Sequence, residues 1–252
     1  MHHYFAMTFV GTALTSMKCS LLFFRYFALF ISFFAGAMVP AYSYASPTEI
    51  NSEYSVELLT EDDGFVSSEI YSIIQDKQGL LWFGTGENGL MRYDGRKVTL
   101  FEYDSNKPNG LSHDDAGNLM LDRDGLIWIG TWGGGLNRYD PNTGDFQHFI
   151  HQPSRGNSLA SNRIQSLFHD QSGAIWLGSY DNGLSRYLGE NTFERINKVD
   201  GVSSGLSHNR IWDIEDNDSD SLWVATSFGL NLYDKENKRF AHFLPEPANP
   251  TP

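Results

Sequence analysis

Gly125-Leu126-Ile127-Trp128-Ile129-Gly130-Thr131 decides how this chain is read, because three further copies of it follow or precede at nearly constant intervals. The copies are Gly79-Leu80-Leu81-Trp82-Phe83-Gly84-Thr85, Gly173-Ala174-Ile175-Trp176-Leu177-Gly178-Ser179 and Asp220-Ser221-Leu222-Trp223-Val224-Ala225-Thr226. Their tryptophans stand 46, 48 and 47 residues apart. A period in the high forties, built of short apolar runs and glycine turns, marks an array of supersecondary units that stack on one another.

Each unit resolves into the same parts. Thirteen residues before the tryptophan lies a polar position, Glu69, Asp115, Arg163 or Arg210, followed by an apolar-alternating run such as Ile70 to Ile74 or Ile164 to Phe168. This run is strand A. Asp76, Asp122, Asp170 or Asn217 sits six residues before the tryptophan, and Gly79, Gly125, Gly173 or Asp220 three before it. These are turn formers that join strand A to the tryptophan strand, B. Strand C follows a second glycine turn, as in Gly135-Leu136-Asn137-Arg138-Tyr139, and strand D closes the unit at Val98 to Phe101, Phe146 to Phe149, Phe193 to Ile196 and Phe240 to Phe243. Four short strands joined by tight turns pair as an antiparallel meander whose two faces must both be covered by neighbouring sheets. The fold class is therefore all-β, with β-propeller blades of four antiparallel strands, four repeats forming a partial propeller. A β-solenoid is excluded because its coils are much shorter.

The repeated aromatics, namely the tryptophans, the tyrosines ending strand C and the phenylalanines of strand D, are what packing between like sheets demands, and they are expected in the core. In particular Trp82, Trp128, Trp176 and Trp223 are expected to be buried between blades. The repeated Asp and Asn are expected to act as Asx-turn formers. An aspartate box of the sialidase kind does not match, since one extra residue separates the aspartate from the glycine.

With the whole pattern in view, the chain resembles the bacterial two-component regulator propeller repeat, legible between Asp122 and Asp140 as Asp-x-x-Gly-x-Ile-Trp-x-Gly-Thr followed by Gly-Leu-x-Arg-Tyr-Asp. The resemblance covers residues 54 to 244. The fourth unit departs from it at Asn217, Asp220 and Ala225, with one residue fewer between Trp223 and Gly229. The resemblance implies a periplasmic sensing part of a membrane-spanning signalling protein, ahead of a further β domain and a cytoplasmic histidine kinase or diguanylate cyclase. It implies no catalysis by these residues themselves.

The chain's formal charge is −13, and all of its 31 acidic residues lie beyond residue 45. Such a balance argues against nucleic acid or anionic lipid as partner. Cys19 is the only cysteine, so disulfides and thiolate metal sites are excluded. Residues 1 to 45 carry Lys18 and Arg25, an apolar run from Tyr26 to Val39, Pro40 and Ser43-Tyr44-Ala45, the layout of a secretory signal cleaved after Ala45. Counted from Met17 its length is ordinary, and translation is expected to start there. The apolar run is shorter than the ~20 residues of a membrane span, which disfavours an uncleaved anchor. Residues 46 to 53 are a linker, the repeats occupy about 60–101, 102–149, 150–196 and 197–243, and 245–252 is a second linker. Val56 to Leu59 reads as a D-type strand with no partners of its own. We therefore expect further blades beyond these four, and poor stability or oligomerisation of the chain alone.

Antiparallel order puts the B–C turns and D–A connections on one end of the blades and the A–B and C–D turns on the other. The latter repeat; the former do not. The B–C tips read Gly86-Glu87-Asn88, Trp132-Gly133-Gly134, Tyr180-Asp181-Asn182 and Ser227-Phe228. Trp132, Tyr180 and Phe228, beside the carboxylates Glu87 and Asp181, could stack a sugar ring or an aromatic ligand, or pack against the long D–A loops. Glu69, Asp115, Arg163 and Arg210 are expected around the axial mouth on the same end. His113 and His208 stand two and three residues before strand A, one out of register, and no metal is assigned to them. No nucleophile with a base and no phosphate loop is legible, and no cofactor is expected. Two function classes remain: an extracytoplasmic sensor binding a small molecule, glycan or partner domain, or a secreted propeller enzyme such as a polysaccharide lyase or glycoside hydrolase.

Overall fold

The computed structural model describes residues 7–8 and 56–244, and the chain divides into two units, residues 1–59 and 60–252. In the first, β1 (Met7–Thr8) pairs antiparallel with β2 (Val56–Glu57), Met7 opposite Glu57 and Thr8 opposite Val56. Val56–Glu57 thus belongs to none of the four-stranded sheets. The leader segment from residue 9 through Ala45, the 46–53 linker and the 245–252 linker lie outside the described residues.

The second unit is four antiparallel sheets, each a meander in chain order. Blade one is β3 (Ile70–Gln75), β4 (Leu81–Thr85), β5 (Leu90–Tyr93) and β6 (Val98–Phe101). Blade two is β7 (Asn118–Leu121), β8 (Ile127–Gly130), β9 (Leu136–Tyr139) and β10 (Phe146–Phe149). Blade three is β11 (Ile164–His169), β12 (Ile175–Ser179), β13 (Leu184–Gly189) and β14 (Thr192–Ile196), and blade four is β15 (Ile211–Asp216), β16 (Ser221–Thr226), β17 (Gly229–Asp234) and β18 (Arg239–Phe243). The turn residues do what their chemistry requires. At Gly135 φ is +80°, and a Cβ there would stand 2.3 Å from the carbonyl oxygen of Phe149, so the B–C turn closes only on glycine.

Three apolar clusters join the blades pairwise. The first packs Trp82 and Leu90 of blade one against Leu111, Ile127 and Ile129 of blade two. The second packs Trp128, Leu136 and Phe149 against Leu159, Ile164, Ile175 and Leu177, and the third packs Trp176 and Leu184 against Leu206, Ile211, Leu222 and Val224. The second and third interfaces set the tryptophan of one blade against the isoleucine that opens strand A of the next, Ile164 or Ile211, and the first sets Trp82 against Ala116, Ile127 and Ile129. The glycine two after each tryptophan makes room: a Cβ on Gly130 would lie 2.7 Å from the Cγ2 of Ile164. Arg92, Arg138 and Arg186 lie over Trp82, Trp128 and Trp176 at 5.5, 5.4 and 5.4 Å from the ring centres.

The turn aspartates do more than shape turns. The Oδ2 atoms of Asp76, Asp122 and Asp170 accept the indole N–H of Trp82, Trp128 and Trp176 at 2.8, 2.7 and 3.0 Å. Meanwhile Oδ1 accepts backbone N–H groups of the following turn. Each aspartate thus satisfies the one polar atom of a buried tryptophan.

Trp223 departs from the expectation of burial. Trp82, Trp128 and Trp176 are at most 1% exposed, whereas Trp223 is half-buried and belongs to none of the three clusters. It faces away from blade three, on the side where the other tryptophans meet the next sheet. Leu232 takes the place of the stacked arginine and Asn217 that of the aspartate. On the same face Leu230 is 38% and Phe243 53% exposed, while their counterparts Leu136 and Phe149 are buried. Among the described residues no cluster joins the fourth sheet to the first.

Candidate functional site

At the B–C and D–A end, the approach to strand A is built alike in all four blades. Ser67, His113, Ser161 and His208 each accept, through a side-chain oxygen or Nδ1, the backbone N–H two residues on. Those N–H groups belong to Glu69, Asp115, Arg163 and Arg210, the residues read as ringing the mouth. The two histidines are therefore in register, which corrects the sequence reading. They share the turn-capping role of the serines. Among the described residues no group of three or more His, Cys, Asp and Glu side chains is gathered for a metal.

Backbone bonds tie the B–C tips of blades two to four to the strand-entering residue of the same blade, and Gly89, Gly133, Gly135 and Gly183 donate across to Asp114, Asn162, Asn162 and Asn209 of the following one. Trp132 N–H donates to Asp115 O, Tyr180 N–H to Arg163 O and Ser227 N–H to Arg210 O, at 3.0, 3.0 and 3.1 Å. Trp132 also bridges to Arg163 across the gap between blades two and three. The tip of one blade is in this way held against the opening of the next.

This docking brings together side chains from three blades. The rings of Trp132 and Tyr180 meet edge to face, 4.6 Å between centres and 71° between planes. Arg163 lies over Tyr180 at 4.9 Å and over Trp132 at 5.9 Å, and forms an ion pair with Asp181. Arg210 lies 3.7 Å from the Tyr180 ring centre and 5.6 Å from that of Trp212. Guanidinium groups stacked on aromatic faces keep their N–H donors at the rim of the stack.

Trp212 was not singled out from the sequence. Strand A is bulged between Ile70 and Ser72, Ile164 and Ser166, and Ile211 and Asp213. The extra residues are Tyr71, Gln165 and Trp212, and a bulge re-aims the side chain it carries. Trp212 stays 48% exposed while its indole N–H donates to Ser227 Oγ at 3.0 Å, which fixes the ring plane beside Arg210. The signal for it was present: a large aromatic next to the first residue of strand A, in the second position of the run.

The remaining candidates lie apart. Glu69 and Glu87 line an open cavity of about 240 Å³ with Val66, Ser67, Ser68 and Asn88, on blade one. Burial raises the Asp115 carboxyl above the ordinary carboxylate value; His113 opposes this and Glu87 adds to it. Phe228 is exposed at the fourth tip and makes no ring contact among the described residues. Glu69, Glu87 and Asp115 thus lie on blades one and two, and the rings with their arginines and Asp181 on blades two to four.

The two component regulator propeller family matches the chain three times, at residues 64–87, 110–133 and 158–181. Each segment begins at the loop before strand A and ends at the B–C tip. The extracellular domain of a hybrid two component system from B. thetaiotaomicron is similar at 26% identity with a TM-score of 0.69, over 75% of this chain. This chain spans only 26% of that domain's length. A catalytically inactive virginiamycin B lyase from Staphylococcus aureus, solved with quinupristin, is similar at 15% identity and a TM-score of 0.53, over 81% of this chain and 62% of that one. The latter likeness is one of fold. No curated protein matches the sequence.

Proposed function

We propose that this chain, which carries repeats of the two component regulator propeller family, is an extracytoplasmic sensing module that binds a small molecule at the mouth formed by Trp132, Arg163, Tyr180, Asp181 and Arg210. One observation carries the reading. Aromatic rings and guanidinium groups from separate blades converge at positions where the repeat varies, while the A–B turns at the opposite end repeat the same residues in blades one to three. Ring faces bordered by polar groups suit a sugar ring or an aromatic ligand. The extracellular setting of the similar B. thetaiotaomicron domain and the signal layout ending at Ala45 agree with export. Sensing is then passed to a membrane-linked output module, as the family resemblance implies, and a further blade of the same repeat covers the Trp223, Leu230 and Phe243 face as blades two to four cover the corresponding faces before them.

Isothermal titration of the full chain against a panel of oligosaccharides tests this, with Tyr180→Ala and Trp132→Ala as companions. Binding that both variants weaken at least tenfold supports the reading; binding indifferent to both places the site elsewhere. The gathering of Glu69, Glu87 and Asp115 favours, as a second reading, a lyase or hydrolase acting at the acidic side. Turnover of any panel member, lost in Glu87→Gln, would establish that alternative.

A further inference from the structure

The two arginines of the mouth are not equivalent. Arg163 has its carboxylate in Asp181. Arg210 has no hydrogen-bond or ion-pair partner for its guanidinium among the described residues, and touches only the rings of Tyr180 and Trp212. Arg195 and Arg123 instead spend donors on the fold: Arg195 donates to carbonyl oxygens of Arg155 and Ser158, and Arg123 to that of Gln171. A half-buried guanidinium 3.7 Å from a ring centre and without a protein acceptor leaves its N–H donors to a ligand, and a guanidinium receives a planar oxyanion by two parallel bonds. Beside it the Trp212 indole, pinned through Ser227 and half-exposed, offers an apolar plane.

We propose that the ligand of this mouth bears a carboxylate, which the Arg210 fork receives while the ligand's ring lies along Trp212. The inference rests on the ligand-binding reading above and adds the charge of the ligand to it. The chain as a whole carries −13 and repels anions at long range. Any preference for an acid over its neutral counterpart therefore reports the local site.

The probe is trigalacturonate, titrated calorimetrically into the full chain beside its neutral methyl ester and beside glucose 6-sulfate. The acid is expected to bind at least tenfold more tightly than the ester. Arg210→Gln should abolish that difference, and Arg210→Lys, which keeps the charge but loses the planar fork, should restore less than half of it on a logarithmic scale. Trp212→Ala should weaken acid and ester alike. Thermal melts of the variants confirm that they fold, and Arg210→Lys stands in if Arg210→Gln does not. Equal binding of acid and ester overturns the proposal, as does a preference that survives Arg210→Gln, binding of the sulfate alone, or no binding of the acid at millimolar concentration. Ester binding equal to that of the acid and lost in Tyr180→Ala would overturn the carboxylate while leaving the ligand site standing.

Discussion

Replacing Asp122 by Asn changes one acceptor into a donor and little else. Its Oδ1 accepts the backbone N–H groups of Asp124, Gly125 and Leu126 at 3.0, 3.0 and 2.9 Å, and its Oδ2 accepts the Trp128 indole N–H at 2.7 Å. Asparagine keeps the first oxygen and so keeps the turn. It sets an N–H₂ against the indole N–H, and Trp128 is 1% exposed, so water cannot take over. Stranding a buried donor costs about 1–3 kcal/mol, and losing the charge from the remaining bonds adds about 1 kcal/mol. We expect Asp122→Asn to lower stability by about 2–4 kcal/mol. Trp128→Phe removes the donor together with part of the ring, at about 1–3 kcal/mol for the lost packing. In the double variant the indole donor is gone and the two N–H groups no longer face each other, so the two losses should fall short of additivity by at least about 1 kcal/mol. Urea unfolding followed by circular dichroism measures all four corners of the cycle. An Asp122→Asn loss below about 0.5 kcal/mol, or strict additivity, would refute the claim that the indole bond, rather than ring packing alone, fixes the blade.

Trp128→Ala should cost about 3–5 kcal/mol and the half-buried Trp132→Ala about 1 kcal/mol; equal losses would overturn the assignment of one ring to the core and the other to the mouth. His113→Ser should leave stability within about 0.5 kcal/mol, since serine fills that place in blades one and three, whereas His113→Ala should lose about 1 kcal/mol; a zinc-dependent shift in melting would contradict the capping role. Burial opposes ionisation of Asp170, but hydrogen bonds from Ser172, Lys235, Trp176 and the Ala174 N–H outweigh it and hold the carboxyl well below the carboxylate range. Its contribution is therefore fully present above the unfolded value of about 4 and lost as pH falls below it. Lys235→Met should flatten that acid loss in urea midpoints taken from pH 7 to 3, and an unchanged profile would remove Asp170 from the account. Sedimentation should show self-association of the full chain that Leu230→Glu with Phe243→Glu relieves, and a monomer with or without them would show that the outward face of blade four needs no cover.

What the sequence made legible is what the repeat enforces. Strand positions follow from the tryptophans and glycines because every blade must present the same plugs and the same gaps to its neighbour. The misjudged residues are those whose surroundings come from elsewhere. Trp223 has the pattern of a core tryptophan, but burial is conferred by the following sheet, and a residue cannot carry that information itself. The indole bond of Asp122 was hidden because its turn role accounted for the aspartate completely. Trp212 was missed because a bulge is a property of pairing between β15 and β16, with Tyr71, Gln165 and Trp212 as its three unlike occupants. Five of the nine proposed ligand residues lie in one cluster, since a tip docks on the opening of the next blade. The sequence marks the tips as variable and says nothing of which tip reaches which opening.

The two ends of the blades divide the work of holding and reading. At the A–B end the residue after each turn aspartate reaches one blade onward: Lys77 donates to Arg123 O, Arg123 to Gln171 O, and the Gln171 N–H to Asp216. Lys235 of blade four closes this line onto Asp170 of blade three at 2.9 Å. These bonds fix one blade's turn to the next through Lys77, Arg123, Asp216 and Lys235 side chains at the A–B end, so they hold whatever side chains stand at the mouth. At the mouth the bonds that cross from blade to blade join backbone atoms at both ends, Gly89 N–H to Asp114 O, Gly133 and Gly135 N–H to Asn162 O, and Gly183 N–H to Asn209 O, and they ask nothing of side-chain identity. A substitution at 132, 180, 210 or 212 therefore changes what the mouth presents without loosening the ring of contacts that positions it. That freedom is the physical reason a repeat under such uniform packing demands can carry tryptophan, tyrosine and an unpaired arginine at one end, where identical units would offer only identical tips.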